Sequence, residues 1–210
     1  MVSDAQPSPD ELLGRAREGS GACLGELLEM YSNYLKLVAA VQMDERLRAR
    51  FSPSDVVQET FFEAHRDFHQ FRGADGRAFL AWIRQILVNN LARLVEKHVV
   101  AARRDVRREV SLTEIGAGVG QSAARIETLL ADHCGSPSSQ ADRNESLMIL
   151  ADELAELPPD YREVVVLRHL KGLPFADVAK RMERSGGAVR MLWLRAIETL
   201  RRRLKKRGVL

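Results

Sequence analysis

Between Val189 and Leu204 apolar residues return every three or four positions, and this run constrains the fold more tightly than any other part of the chain. At an advance of about 100° per residue, Val189, Leu192, Trp193, Ala196, Ile197, Leu200 and Leu204 share one face, while Arg190, Met191, Leu194, Arg195, Glu198, Arg201 and Arg202 lie opposite. The stretch is therefore a long helix that packs on one side and presents arginines on the other. A shorter helical pattern over residues 175–183 precedes it, separated by a tight turn at residues 184–186. Short helix, turn and longer amphipathic helix together make a helix-turn-helix, which lays its second helix in the major groove. By themselves these residues also fit an ordinary helical hairpin with a solvated face.

Helical spacing governs the rest of the chain too. Leu24, Leu27, Leu28 and Tyr31, then Leu35 and Val38, then Val56, Val57 and Phe61, then Phe79, Ile83, Ile86 and Leu94 recur without any period-two run of β-branched residues. Ser52 and Ser54 flank Pro53 ahead of Asp55, a helix start that predicts a helix to about Phe68 and then a loop over residues 71–77 with Gly73 and Gly76. Further helices are expected over 140–156 and 159–170, broken by Pro158, Pro159, Gly172 and Pro174. Residues 111–139 hold Gly116, Gly118, Gly120 and the run from Gly135 to Ser139, and read as a flexible linker with a short helix over 123–130. The expected architecture is all-α: a helical domain over 8–105, a linker over 106–140, and a second helical domain over 141–207 that contains the helix-turn-helix.

Composition narrows the function classes. The chain has 210 residues, 45% of them hydrophobic, with no apolar run near the ~20 residues that span a bilayer. Its acidic start is unlike a signal peptide, so a cytoplasmic protein without a membrane partner is expected. Cys23 and Cys134 stand alone and suggest neither a disulfide framework nor a zinc site. The net charge of +3 hides an asymmetry: residues 1–60 hold six Lys/Arg against ten Asp/Glu, and residues 147–210 hold fourteen against eight. A basic end is a nucleic-acid footprint, although cations also favour a helix C-terminus in any protein. On the last helix Gly187, Ala188, Arg190 and Met191 lie where base edges are approached. Arg190 is the base-reading candidate and Arg195 the positioning one.

Two stretches carry a family resemblance. Leu157-Pro158-Pro159-Asp160-Tyr161-Arg162-Glu163-Val164, with Ala176-Asp177-Val178-Ala179 and Ser185-Gly186-Gly187-Ala188-Val189-Arg190, resembles the fourth conserved region of extracytoplasmic-function sigma factors of bacterial RNA polymerase. Asp55-Val56-Val57-Gln58-Glu59-Thr60-Phe61, followed by Phe71-Arg72-Gly73, Phe79, Trp82-Ile83 and Asn89, is similar to their second region. The resemblance implies a non-enzymatic, cofactor-free protein whose partners are core RNA polymerase and promoter DNA, with an anti-sigma protein as a further partner that it admits. It further implies that Asp55, Gln58, Glu59 and Arg66 dock on the polymerase clamp, and that Phe71, Arg72, Arg77, Arg84 and Asn89 serve the minus-ten element. Gly187, Ala188, Arg190, Met191, Leu194, Arg195 and Arg202 then serve the minus-thirty-five element. Arg93, Lys97, Arg103 and Arg104 could extend the basic track. This chain departs from the pattern at Glu183, where glycine is usual in the turn, at Met191, where a small or polar residue is usual, and at Leu192, where arginine is frequent.

Rival readings rest on less. A helix-turn-helix regulator with a helical partner-binding domain explains the C-terminal half but not the stretch from Asp55 to Asn89. A nucleophile among His133, Cys134 and Ser136, or a metal between His65 and His69, lacks an orienting partner or third ligand. The glycines at 116, 118 and 120 follow no strand and make no dinucleotide loop. Trp82 and Trp193 sit among apolar helix positions and are expected in the core.

Overall fold

Side chains placed just ahead of the apolar runs set most of the helix starts. In the computed structural model, which describes residues 7–97, 112–134 and 140–209, Ser8 and Glu11 form a reciprocal capping box for α1 (Pro9–Arg17). The Ser20 hydroxyl accepts from the Cys23 N–H to start α2 (Gly21–Met30), which leads into α3 (Ser32–Gln42) and the short α4 (Glu45–Arg48). A second box, Ser52 with Asp55, opens α5 (Pro53–Asp67), with Pro53 in its first turn. A 3₁₀ turn (Phe68–Gln70) ends it, and α6 (Gly76–Val95) begins under an Asp75 cap. Then come α7 (Leu112–Cys134), α8 (Gln140–Ala155), α9 (Pro159–Val165) with a π-helical turn (Val166–Leu170), α10 (Phe175–Arg181) and α11 (Gly186–Lys206). No strand occurs among the described residues, as the missing period-two pattern implied.

The first six helices bury Leu27, Tyr31, Leu35 and Val38 against Val57, Phe79, Ile83 and Leu87, all at most 1% exposed. Polar contacts fix α5 on α6: Arg93 grips the nearly buried Glu63 through two bonds of 2.6 and 2.8 Å, and Asn90 donates to the Thr60 hydroxyl at 3.2 Å. Arg93 thus ties α6 to α5 while its side chain stays 58% exposed. In the second half Leu150 and Leu154 of α8, Val164 and Val165 of α9 and Val178 of α10 close over Val189, Ala196, Leu200 and Leu204 of α11. Arg203 and Arg207 bind Glu153, which is only 5% exposed, and tie the end of α11 to α8.

The stretch between the halves differs from the expected linker. Residues 112–134 form one helix, α7, instead of a short helix over 123–130, and Gly116, Gly118 and Gly120 lie inside it. Its Ile115, Val119, Ile126, Leu129 and Leu130 recur at helical spacing and are buried. Tertiary burial thereby offsets the roughly 1 kcal/mol that each helical glycine costs against alanine. The helix packs on α3 and α6 and also on α8 and the π-helical turn, so one contiguous core joins both halves. Gln42 donates to Ser122 at 2.7 Å, Arg125 donates to the Leu170 carbonyl at 2.9 Å, and Asn33 of α3 reaches Asp152 of α8 at 2.8 Å. Arg103, Arg104 and Ser136 lie outside the described residues, as do the side chains of His133 and Cys134.

Candidate nucleic-acid interface

Three surfaces collect the residues singled out by sequence. The first is the outer strip of α5, where Asp55, Gln58, Glu59 and Arg66 recur at three- and four-residue steps and are all exposed. Asp55 also caps its own helix, since its N–H donates to the Ser52 hydroxyl and its carboxylate accepts from the Ser52 N–H at 2.8 Å. The Ser52 backbone N–H first, and then the Ser52 hydroxyl, stabilise the carboxylate and hold its carboxyl below the usual range. Arg66 is paired with its neighbour Asp67 at 2.8 Å. In the middle of the strip stands Phe62, 65% exposed, which sequence reasoning missed. Its signal was available, because Phe62 falls three residues after Glu59 and four before Arg66, off the buried face of Val56, Val57 and Ala64.

The second surface is the loop between the 3₁₀ turn and α6. Phe71 is not presented to solvent: it is 8% exposed and packs 5.2 Å from Trp82 and 5.5 Å from Phe79, centroid to centroid. It anchors the loop. A Cβ at Gly73 would come within 2.4 Å of the Phe71 ring and 2.5 Å of Ala78, so this close turn admits only glycine. Arg17 of α1 clasps the loop by donating to the Gly73 carbonyl and lies 5.6 Å from the Phe71 ring centroid. A separation of 56 residues hid that contact from sequence reasoning. Arg72 is exposed and folded onto the His69 carbonyl at 2.6 Å. Beside the loop lies an open groove of about 720 Å³, lined by Arg17, Arg66, Arg72, His65 and His69 among others.

On α6, Arg77 and Asn89 face outward, and Asn89 accepts from Gln85 at 3.1 Å. Arg84 turns the other way. It is half-buried, with its guanidinium 5.2 Å from the Tyr34 ring centroid, and burial pushes the Tyr34 phenol up to about 12. The structure thus brings Arg72, Arg77 and Asn89 to the surface and sends Phe71 and Arg84 inward.

The third surface is the helix-turn-helix. Gly187, Ala188, Arg190, Met191, Leu194, Arg195 and Arg202 are all exposed on α11, opposite its packed face. Ser185 caps the helix by accepting from the Ala188 N–H at 3.2 Å. Phe175, at the start of α10, carries Arg168 at 4.9 Å and Arg190 at 5.9 Å from its ring centroid, which restrains Arg190 at the edge of the face. Trp193 joins the packed side, donating to His169 at 3.0 Å. The turn is left-handed at Glu183, φ 52°, where the sequence lacks the usual glycine.

Comparison with known proteins matches these surfaces to two family models. Sigma-70 region 2 aligns with residues 30–99, and Sigma-70 region 4 with residues 147–200. The extracytoplasmic-function (ECF) RNA polymerase sigma-E factor of Escherichia coli (strain K12) is 30% identical over 158 residues, covering 73% of this chain and 76% of that protein. This chain belongs to the extracytoplasmic-function sigma factors. The sigma-E factor of Haemophilus influenzae is 28% identical over 202 residues, spanning 95% of this chain and 97% of that one. Among solved structures, a chain of the RsbN-BldN complex aligns at 25% identity with a TM-score of 0.31, covering 90% of this chain and 97% of that chain. The region 2 match contains the α5 strip and the Phe71 loop of this sigma factor, and the region 4 match contains α9, α10 and the exposed face of α11 up to Leu200. A stand-alone helix-turn-helix regulator is not favoured, because the region 2 match accounts for the first half.

Proposed function

We propose that this sigma factor binds core RNA polymerase through the α5 strip and brings it to promoter DNA, with the residue 71–77 loop serving the minus-ten element and α11 the minus-thirty-five element. The observation that carries the reading is the outer face of α11: a packed helix that leaves Gly187, Ala188, Arg190, Met191, Leu194, Arg195 and Arg202 together in solvent, with arginines at its edges. Small residues in the first turn allow close approach to base edges, and the later arginines suit phosphates.

At the loop, Arg72 and Arg77 offer hydrogen bonds to an opened strand, and Asn89 stands exposed further along α6. The adjoining groove with Arg17, His65 and His69 has room and charge for its backbone. Phe71 acts indirectly, by holding the loop. On α5, Glu59 and Gln58 present polar contacts around the apolar Phe62, the pattern of an anchored protein interface. The protein works in the cytoplasm, where its polymerase is, and no helix among the described residues is long and apolar enough to cross a membrane. An anti-sigma protein is a further partner, and these same exposed surfaces are what it would have to cover. Run-off transcription with purified core polymerase over a randomised promoter library tests the reading. The expected outcome is selection of two short conserved elements, and failure to start transcription from any library member without another sigma factor would overturn it.

A further inference from the structure

Among the described residues three large apolar side chains stand in solvent: Phe62 at 65% exposure, and Met191 and Leu194 at 51% each. Phe62 belongs to the α5 strip. The other two lie three residues apart on α11, about 60° apart around its axis. Counted from Met191 at about 100° per residue, Gly187, Ala188, Leu194, Arg195, Glu198 and Arg202 all fall within about 60°, and the buried Val189, Ala196 and Leu200 lie at least about 140° away. Met191 therefore occupies the centre of the outward face and is no stray edge of the core. Neither side chain offers a hydrogen-bond donor, and both are flanked by the cations Arg190 and Arg195.

In the major groove each base pair presents polar atoms, and the thymine C5-methyl is the one apolar group among its base-edge features. An apolar pair near the centre of a cation-edged face, five and eight residues into a helix whose first turn holds Gly187 and Ala188, suits that group best. The 5.9 Å contact of Arg190 with Phe175 keeps the guanidinium at the rim and leaves the centre to the apolar pair.

We propose that Met191 and Leu194 clamp thymine C5-methyl groups, so that this sigma factor selects A·T pairs at one or two positions of its upstream promoter element by methyl contact. The inference rests on α11 being the recognition helix. The test uses full-length protein with core polymerase on a promoter selected from the randomised library, each thymine of the upstream element being replaced in turn by uracil. That exchange removes the methyl and leaves base pairing intact. Holoenzyme should bind about fourfold more weakly at one or two positions, which corresponds to ~0.8 kcal/mol for one buried methyl-sized group. In Met191→Ala or Leu194→Ala holoenzyme the same uracil should have no further effect. Because both side chains are half in solvent, these variants keep the fold, and unchanged helical circular dichroism verifies it. Absence of a uracil effect at every position would overturn the proposal. A full effect surviving in both variants would also overturn it and leave the pair to a protein partner. Indifference to scrambling the whole upstream element would instead overturn the recognition-helix reading beneath it.

Discussion

Replacing Glu183 by glycine should stabilise the chain although it removes a side chain. Glu183 is the one non-glycine residue with positive φ among those described, and Gly19, Gly172 and Gly208 take the other such positions. The Glu183 N–H donates to the Lys180 carbonyl at 3.3 Å, and the Arg184 N–H to the Ala179 carbonyl at 3.0 Å. These two bonds close the end of α10 in the motif whose left-handed position usually holds glycine. A Cβ there costs about 1–2 kcal/mol, whereas glycine loses about 0.4–1 kcal/mol through the freedom it adds to the unfolded chain. The net gain for Glu183→Gly is therefore roughly 0.5–1 kcal/mol, or a Tm rise of about 1–4 °C for a chain of this size. Glu183→Ala is the control, because it removes the charge from the helix end but keeps the Cβ. Urea unfolding followed by circular dichroism should place the glycine variant above both wild type and the alanine variant. A glycine variant no more stable than alanine would refute the argument, since the left-handed turn would then carry no strain at Glu183.

Phe62→Ala and Glu59→Lys should each weaken capture of core polymerase, the former by about tenfold (~1.4 kcal/mol), without loss of helix; undiminished pull-down by both would remove α5 from the interface. Asp55 is spared in this test because its substitution would also uncap α5. Phe71→Ala should lower stability by about 3–5 kcal/mol in thermal melts, as for other buried aromatics, and a variant of wild-type stability that failed to open promoters would make Phe71 a strand contact. Arg190→Ala should relax preference at one or two upstream positions at a cost of about 1–3 kcal/mol, whereas Arg202→Ala should weaken all sequences alike and lower the salt slope by roughly one; binding to a promoter panel at several salt concentrations separates them. Burial raises the Asp152 carboxyl above its usual range, only partly offset by the Asn33 hydrogen bond. The folded chain therefore takes up this proton more readily than the unfolded one, and stability falls as pH rises through that raised value. Asp152→Asn, which keeps an acceptor for Asn33, should be more stable than wild type at neutral pH and lose that advantage in acid, as urea titrations at the two pH values would report.

The face of α11 was legible because its seven packed positions repeat at helical spacing within one uninterrupted element, and nothing distant rearranges them. The α5 start was legible for a similar reason, since Ser52, Pro53 and Asp55 carry their cap locally. Elsewhere the deciding contacts come from far along the chain. Gly116, Gly118 and Gly120 look like linker punctuation until α3 and α6 supply the surface on which Ile115 and Val119 pack. An aromatic in a loop signals strand stacking as readily as anchoring, and only Phe68, Phe79 and Trp82 gathered around Phe71 decide between them. Arg84 reads as a cation for DNA, but its side chain meets the ring of Tyr34, fifty residues earlier. The clasp of Arg17 on Gly73 has no local signature at all.

The position of α7 between the two halves has a consequence in length. Promoter elements named for positions about twenty-five base pairs apart stand about 85 Å apart along the duplex, at ~3.4 Å per pair. Ile115, Val119, Ile126 and Leu129 of α7 are buried between α3, α6 and α8, so the two halves share one packed core. On the proposed roles, placing the two halves on separate elements would part Asn33 from Asp152 and lift α7 off at least one side of the core. The apolar face of α7 uncovered in that way would need a new surface to pack on, which on the proposed roles would couple the join between the halves to polymerase binding.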